Sequence, residues 1–502
     1  MNTTPSGRTI EHAAHIVGGN LCGPLPDLRR QISALTCSSG DVLTDSLFIA
    51  IPGVAIDGHQ FVDDAFAQGA IGAVVEREEV LQGRPGIVVP STREAASILA
   101  DAWYDQPSRE LHLVGVTGTN GKSSVAWWLS HLLSSLELPT FCLGTLGVHG
   151  VKGRGQEWCA EASLTTPDPL SLHKTLREAV DREYAAGVME VSSHALHQCR
   201  VSSIQFDIAI FTNLTHDHLD YHGTLDRYFS SKKKLFELLA ESDSSIQTIV
   251  TNADNSHGRE IAREFAGLIQ GECITYGVTP GAMLRATDID HIPGATRFVI
   301  TFNDERCPVS VPFLGDHNIE NILAVVGGAL ALGWPLRRIA DLLSLLPQVP
   351  GRLEQRAVNG VHVYVDYAHT PDALERALRA IRYGTEGRLF VVFGCGGDRD
   401  RQKRPAMGQI AREGSDVVVI TSDNPRTENP STIIGDILAG GVSADHIEVD
   451  RRAAIEWALG CATTGDSILI AGKGHEGYQI IGRERQPFSD QKVVEEWMRR
   501  CI

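Results

Sequence analysis

Gly121, Lys122 and Ser123 are residue types that hold a polyphosphate, and they stand in the order that does so. Backbone N–H groups of Gly118, Thr119, Asn120 and Gly121 can point at an anion, and a helix starting at Lys122, Ser123 and Ser124 adds its positive end. The Lys122 ammonium can reach β- and γ-phosphates, and the Ser123 hydroxyl can ligate Mg²⁺. The usual spacing of such a loop asks for glycine at position 116. Val116 stands there, so Gly118 and Gly121 must make the turn.

More chemistry sits at the ends of other apolar runs. Glu190 closes Val188-Met189-Glu190, and a carboxylate beside a phosphate loop is where Mg²⁺ would be held. Thr215 to His222 concentrates metal-ligand types: His216, Asp217, His218, Asp220 and His222. One residue too many separates Asp220 from His222 for a zinc-hydrolase pattern, and zinc geometry depends on spacing. A strand-end site for Mg²⁺ and substrate fits better; a solvated polar loop is the plain alternative. Lys232, Lys233 and Lys234 fall on one helix, which usually means a solvated face, and nothing in the run singles one of them out.

Two glycine-rich loops fail as dinucleotide fingerprints. In Gly394 to Asp400, Arg399 stands where glycine is needed. Gly472 to Gly477 has the spacing, but Tyr478 to Ile481 reads as strand where a helix should follow. Both still lie after apolar strands, where open α/β sheets bind ligands. Asp423-Asn424-Pro425-Arg426 occupies a third such position. These types suit a zwitterionic amino acid: Arg426 can grip a carboxylate with two donors, and Asp423 can take an ammonium. An ordinary turn is the competing reading. No Asn-Lys-x-Asp string exists, so a GTPase lacks its base-reading loop, and the kinase strings His-Arg-Asp and Asp-Phe-Gly are absent.

These groups need a scaffold of strands and helices. Leu111 to Val116 reads as a buried strand, and Val125, Trp128, Leu129, Leu132, Leu133 and Leu136 fall on one face of the next helix. Gly187 to Val191 and Phe206 to Phe211 read as further buried strands of a doubly wound parallel sheet, and Asn318 to Leu332 as a helix. Before this block, runs at 46–51, 70–75 and 86–90, with helices at 61–68 and 94–103, make a small α/β unit. Tyr104 to Ser108 reads as its linker. After it, strands at 361–366, 389–393, 417–421 and 467–471 alternate with helices in a Rossmann-like unit. Thr370 caps the first of these helices, with Pro371 at its first position. The fold class is α/β, in three domains: 1–108, 109–348 and 349–502.

Composition sets the limits. A chain of 502 residues is too long for one core, and 42% apolar with 21% charged residues is ordinary for a soluble protein. No apolar run reaches membrane-spanning length, and Met1 to Glu11 shows no signal peptide. Ten cysteines without a Cys-x-x-Cys pair read as reduced thiols, so a cytoplasmic protein is expected. A net charge of −17 argues against a nucleic-acid partner. An anionic substrate must therefore be met by locally gathered cations.

Taken together, Thr117 to Ser123, Met189 to His194, Asp217 to Gly223, Asp366 to Pro371, Gly394 to Asp400, Asp423 to Arg426 and Gly472 to Glu476 resemble the Mur ligases of bacterial cell-wall synthesis. Within that family they resemble most the ligases for meso-2,6-diaminopimelate. The resemblance runs over nearly the whole chain, and the family's phosphate loop also lacks the first glycine. It implies an ATP-dependent amide-forming ligase, working with Mg²⁺ as a monomer through an acyl phosphate. Its first domain would bind the UDP-sugar of UDP-N-acetylmuramoyl-L-Ala-D-Glu, its second ATP, and its third the amino acid.

By position, Ser38 would contact the UDP-sugar, and Thr165, Thr166, Ser192, Gln198 and Arg200 its peptide part. Asn321, Arg352 and Asp366 would join the phosphate loop around ATP. Lys122, Glu190, His218 and Lys232 would be catalytic, with Lys232 carbamylated and, alongside Ser123 and Glu190, holding metal. Arg399, Asp423, Asn424, Pro425, Arg426, Gly472 and Glu476 would bind diaminopimelate. Cys37-Ser38-Ser39 departs from the Asp-Ser-Arg common near the family's UDP site. The alternatives are a Mur-type ligase for L-lysine, a non-catalytic nucleotide- or UDP-sugar-binding regulator, and a zinc hydrolase.

Overall fold

The computed structural model describes residues 8–500 apart from 54–55, 154, 162–163 and 293. Three main sheets follow one another along the chain. The first has strands Asn20–Cys22, Gly86–Val88, Gly72–Val75, Ser46–Ile49 and Ala34–Thr36 side by side. All of its pairings are parallel except Asn20–Cys22 against Gly86–Val88. The helix Thr92–Trp103 packs on this sheet and leads out of it.

The second sheet has eleven strands. Its centre is parallel, as the apolar runs predict: Thr140–Gly144, Ala186–Glu190, His112–Thr117, Ile208–Phe211, Thr248–Asn252 and Cys273–Gly277. Both flanks differ from the expected all-parallel sheet. Gly147–Lys152 and Gly155–Ala160 extend one side antiparallel. Leu284–Ile292, Ala295–Phe302 and Glu305–Val311 extend the other, and the last two pairings are antiparallel. Period-two alternation splits the strand residues between two cores. Val114, Val116, Val188, Ile210 and Val250 pack under helices Lys122–Ser135 and Asp316–Ala331. Leu113, Met189, Ala209, Phe211 and Ile249 pack under Pro169–Asp181 and Leu225–Ala240. A strand buried on both faces has no polar face to show, which is why these runs are continuously apolar.

The third sheet orders Glu354–Val358, Val361–Asp366, Ser467–Ala471, Leu389–Phe393, Val417–Ile420 and His446–Ile447. Only Glu354–Val358 runs antiparallel. Thr370 caps Pro371–Arg382 as expected, accepting from Ala373 N. The segment Tyr478–Ile481 is a strand, paired with Glu484–Pro487. No helix among the described residues is long and apolar enough to cross a membrane.

Candidate functional site

The strand His112–Thr117 delivers the glycine loop to the C-terminal edge of the second sheet, and Gly121 caps the helix that begins at Lys122. Gly118 adopts a φ of 147°, and a Cβ there would lie 1.9 Å from Thr212 Oγ1, so a side chain at this position has no room. Thr119 N donates to Asn213 O at 2.8 Å and Asn120 N to Asn213 Oδ1 at 3.0 Å, which fixes the loop on the neighbouring strand end. Lys122 Nζ curls back onto the carbonyls of Gly118 and Thr119, both at 2.9 Å.

Glu190 ends the adjacent strand. Ser123 Oγ donates to its Oε2 at 3.0 Å, and Thr145 N to its Oε1 at 2.7 Å. Thr145 Oγ1 adds a contact at 3.3 Å and meets Thr165 Oγ1 at 3.0 Å. A carboxylate and a hydroxyl are hard oxygen donors of the kind Mg²⁺ takes. Among the described residues no group of three or more His, Cys, Asp or Glu is placed to hold a metal. Two such donors would suit an ion that takes its other ligands from phosphate oxygens and water, as Mg²⁺ usually does.

Lys232 is 1% exposed, whereas Lys233 and Lys234 are half-buried. Its Nζ donates to Gly118 O at 2.7 Å and sits 4.4 Å from the Tyr228 ring centre. Burial, with Lys122 nearby, pushes its pKa well below the usual lysine value. The sequence carries a signal for this. Tyr228, Lys232, Leu235 and Leu239 recur at i, i+4, i+7 and i+11, so the lysine lies inside an apolar stripe. His218 heads a short helix with a left-handed φ of 53°, its ring 3.5 Å from Asp217. Burial opposes ionisation of Asp217, but His218, His369 and Lys122 hold its carboxyl below the usual range.

One cavity gathers the loop, Thr165, Glu190, Ser192 and His218 with Asn321, Arg352 and Asp366. Asn321 crowds the glycine turn: a Cβ on Gly121 would lie 2.3 Å from its Oδ1. Arg352, at the start of the third block, donates to Ser123 Oγ at 3.2 Å. Asn120 Nδ2 donates to Asp372 Oδ2 at 3.1 Å across the same gap. Asp366 accepts from Leu353 N at 2.6 Å and Ala368 N at 2.7 Å. Thr145, Asn213, His317, Glu320, His369 and Arg376 also line the cavity and were not anticipated. His369 falls within the Asp366 to Pro371 string, while the others come from loops and helices with no motif spacing to expose them.

Next to the cavity, Thr166 Oγ1 donates to Glu190 O at 2.9 Å and accepts from Ser192 N at 3.0 Å. Arg200 Nη1 donates to Thr166 O at 2.9 Å, and its Nη2 to Gln198 Oε1 at 2.6 Å. Ser38 stands apart, exposed on the first sheet's loop. It is linked only indirectly: burial and then Asp168, two residues past Thr166, push the neighbouring Cys37 thiol up to about 12.

The remaining candidates cluster at the C-terminal edge of the third sheet. Gly472 N donates to Asp366 O at 3.0 Å, so this cluster begins one hydrogen bond from the cavity. Gly472 has φ 116°, and a Cβ there would lie 2.3 Å from Asp423 Oδ2. Asn424 Nδ2 donates to Glu476 Oε2 at 3.0 Å, and the fully buried Lys473 Nζ reaches both Asn424 Oδ1 and Glu476 Oε2 at 3.0 Å. Pro425 is buried, which leaves Arg426 at the turn's tip with Nη1 on Gly397 O at 2.8 Å. Arg399 is exposed and makes no hydrogen bond or ion pair among the described residues.

Residues 31–104 match the Mur ligase family catalytic domain, 116–329 the Mur ligase middle domain, and 351–474 the Mur ligase glutamate ligase domain. A protein of Thermosynechococcus vestitus named UDP-N-acetylmuramoyl-L-alanyl-D-glutamate–2,6-diaminopimelate ligase is 43% identical over 476 residues, 93% of each chain. One of the same name from Gloeobacter violaceus is 44% identical over 481 residues, 94% of each.

The chain belongs to the Mur ligase family.

A solved structure with that ligase's name superposes with a TM-score of 0.68 at 32% identity, covering 94% of this chain and 96% of that one. The Mur ligase fold also extends to MurF from Acinetobacter baumannii, with a TM-score of 0.65 at 20% identity and 98% coverage of both. Among Mur ligase neighbours of similar fold, MurF of Thermotoga maritima was solved with ADP (TM-score 0.61, 20% identity, 88% and 94% covered).

Proposed function

We propose that this Mur ligase joins meso-2,6-diaminopimelate to UDP-N-acetylmuramoyl-L-Ala-D-Glu at the expense of ATP, in cytoplasmic peptidoglycan precursor synthesis. One observation carries the reading: the phosphate loop, Glu190, Arg352 and Asp366 line one cavity, with Arg352 on Ser123, and Gly472, packed against Asp423, donates to Asp366 at its edge. The names of relatives over 40% identical supply the substrates. The first sheet, with Ser38, would take the UDP-sugar, the second ATP and the third the amino acid, along the boundaries 1–108, 109–348 and 349–502.

The terminal carboxylate of the nucleotide-linked peptide attacks the γ-phosphorus of ATP. The bond to the ADP oxygen breaks, and an acyl phosphate forms. The amine of diaminopimelate then attacks the acyl carbon, loses a proton, and expels phosphate. Lys122 offsets charge on the transferring oxygens, and the loop N–H groups orient them. Mg²⁺, held by Ser123, Glu190 and a Lys232 carbamate, would neutralise phosphate charge. Lys232 suits carbamylation because burial, and then Lys122, lower its pKa and so favour the neutral amine, the form that adds CO₂. Thr165, Thr166, Ser192, Gln198 and Arg200 would hold the peptide, and His218 lines the same cavity as the loop. Asp423, Asn424 and Glu476 would receive the amino acid's near end, and Arg426 and Arg399 its distal carboxylate. L-lysine lacks that carboxylate, so a site built to pair it disfavours lysine.

The test is phosphate release from Mg·ATP and UDP-N-acetylmuramoyl-L-Ala-D-Glu with meso-diaminopimelate or L-lysine in parallel. Release with diaminopimelate, and a product of the summed mass less water, is expected. Release with lysine alone would overturn the assignment of the Asp423–Arg426 turn. No release with either would leave the non-catalytic regulator.

A further inference from the structure

Arg451 and Asp490 form an ion pair in which both side chains are wholly buried. Arg451 opens the helix Arg451–Cys461 and Asp490 opens the last helix, Asp490–Arg500. The pair is two-pronged: Nε to Oδ1 at 2.8 Å and Nη2 to Oδ2 at 2.8 Å. The donors left over do not point at random. Nη2 also donates to Ala471 O at 2.9 Å, and Nη1 to Ser422 O at 3.4 Å. These carbonyls belong to the residues just before Gly472 and Asp423.

Ser467–Ala471 and Val417–Ile420 are not neighbours in the sheet; Leu389–Phe393 lies between them. No ladder hydrogen bond therefore sets the distance between their two loops. That distance matters, because Gly472 and Asp423 approach so closely that a Cβ would be excluded. Beneath them, Arg451 also lies within electrostatic reach of Asp423 and Glu476.

We propose that Arg451, oriented by Asp490, is a positioning residue for the incoming amino acid, clamping the Asp423–Arg426 and Gly472–Glu476 loops at a fixed separation without touching the substrate. This rests on the ligase reading above. A buried pair is a poor device for stability alone, since apolar groups of similar size often do as well. Its value here is geometric, because a guanidinium fork can hold a carboxylate and two carbonyls at once.

The test is a three-substrate kinetic comparison of wild type, Arg451→Lys and Asp490→Asn. KM for meso-diaminopimelate should rise about tenfold or more, while KM for ATP and for the UDP-sugar peptide stays within about twofold. A purely structural role would lower Tm and kcat but leave that split absent, and that outcome overturns the proposal. If the single variants do not fold, Arg451→Met/Asp490→Leu removes both charges together, and the same split is expected of it. A wild-type KM for diaminopimelate in that double variant overturns the clamp. Turnover by wild type without the split sinks the clamp alone, whereas no turnover by wild type sinks the ligase reading and the clamp with it.

Discussion

Lys122 and Lys232 converge on one oxygen: both side-chain nitrogens donate to the carbonyl of Gly118, at 2.9 and 2.7 Å. Two like charges so close, one of them fully buried, cannot both be comfortable. Lys232 gives way, since its pKa is pushed well below 10.5 by burial and then by Lys122.

The first prediction follows from that sign. Between the lowered pKa and 10.5 the folded protein binds fewer protons than the unfolded chain, so stability rises with pH over that interval. Lys232→Met deletes the titrating group. Its Tm advantage over wild type should be largest on the acid side of that interval and shrink as pH rises toward 10.5. A constant margin would contradict a Lys232 pKa lowered by burial. With ¹³C-bicarbonate, wild type should show a carbamate resonance that the variant lacks.

Glu190 is held by three donor contacts from Ser123 and Thr145. Thr145→Val removes the one side-chain contact from Thr145 while leaving its backbone contact in place. Metal ligands depend on such outer partners, so phosphate release should fall about 10- to 100-fold, with part of the loss recovered at high Mg²⁺. Glu190→Gln should cost more and recover less. Equal activity of Thr145→Val and wild type across a Mg²⁺ titration would refute this arrangement.

The Arg426 side chain makes one hydrogen bond, to Gly397 O, and no ion pair among the described residues. Its charge is thus available to a ligand. Arg426→Ala should lower kcat/KM for meso-diaminopimelate at least about 100-fold and change that for L-lysine far less. Parallel losses for both amino acids would remove Arg426 from the selection of substrate.

Arg404 is fully buried and pairs with Glu428 at 2.8 Å and Asp436 at 2.8 Å. Glu428 also accepts from Asp398 N at 2.6 Å, which pins the loop carrying Arg399. Arg404→Met should destabilise the protein by about 3 kcal/mol. The hydrogen bond from Arg404 is the main reason the Glu428 carboxyl falls from 4.5 to about 2. A carboxyl depressed in the folded state stabilises above its unfolded value and stops doing so below its folded one. The gap between wild type and variant should therefore hold above about pH 5 and close as pH falls toward 2. Urea midpoints against pH read this directly.

The parallel core of the second sheet was legible because strands buried on both faces are unbroken apolar runs, as in Leu111 to Val116. The flanking strands were not. Leu284–Ile292 and Glu305–Val311 each have half-exposed or exposed polar residues, such as Asp288, Asp290 and Arg306, so no unbroken apolar run marks them. The phosphate loop and Glu190 declared themselves through spacing and strand ends. Asn321, Arg352 and Asp366 came only through the family resemblance, since each reaches the cavity by tertiary folding. Arg451 carried no signal, because a buried ion pair and a surface one look alike in sequence.

The segment joining the second and third sheets is itself an instrument. Arg352 lies on it and touches Ser123 at 3.2 Å. A displacement of about 1 Å between the two lobes would break that contact, because a hydrogen bond has little reach beyond its optimum. The joint thus reports the seating of the third sheet to the phosphate loop, and a small molecule wedged beside Arg352 would part the two from inside the nucleotide cavity, in competition with ATP.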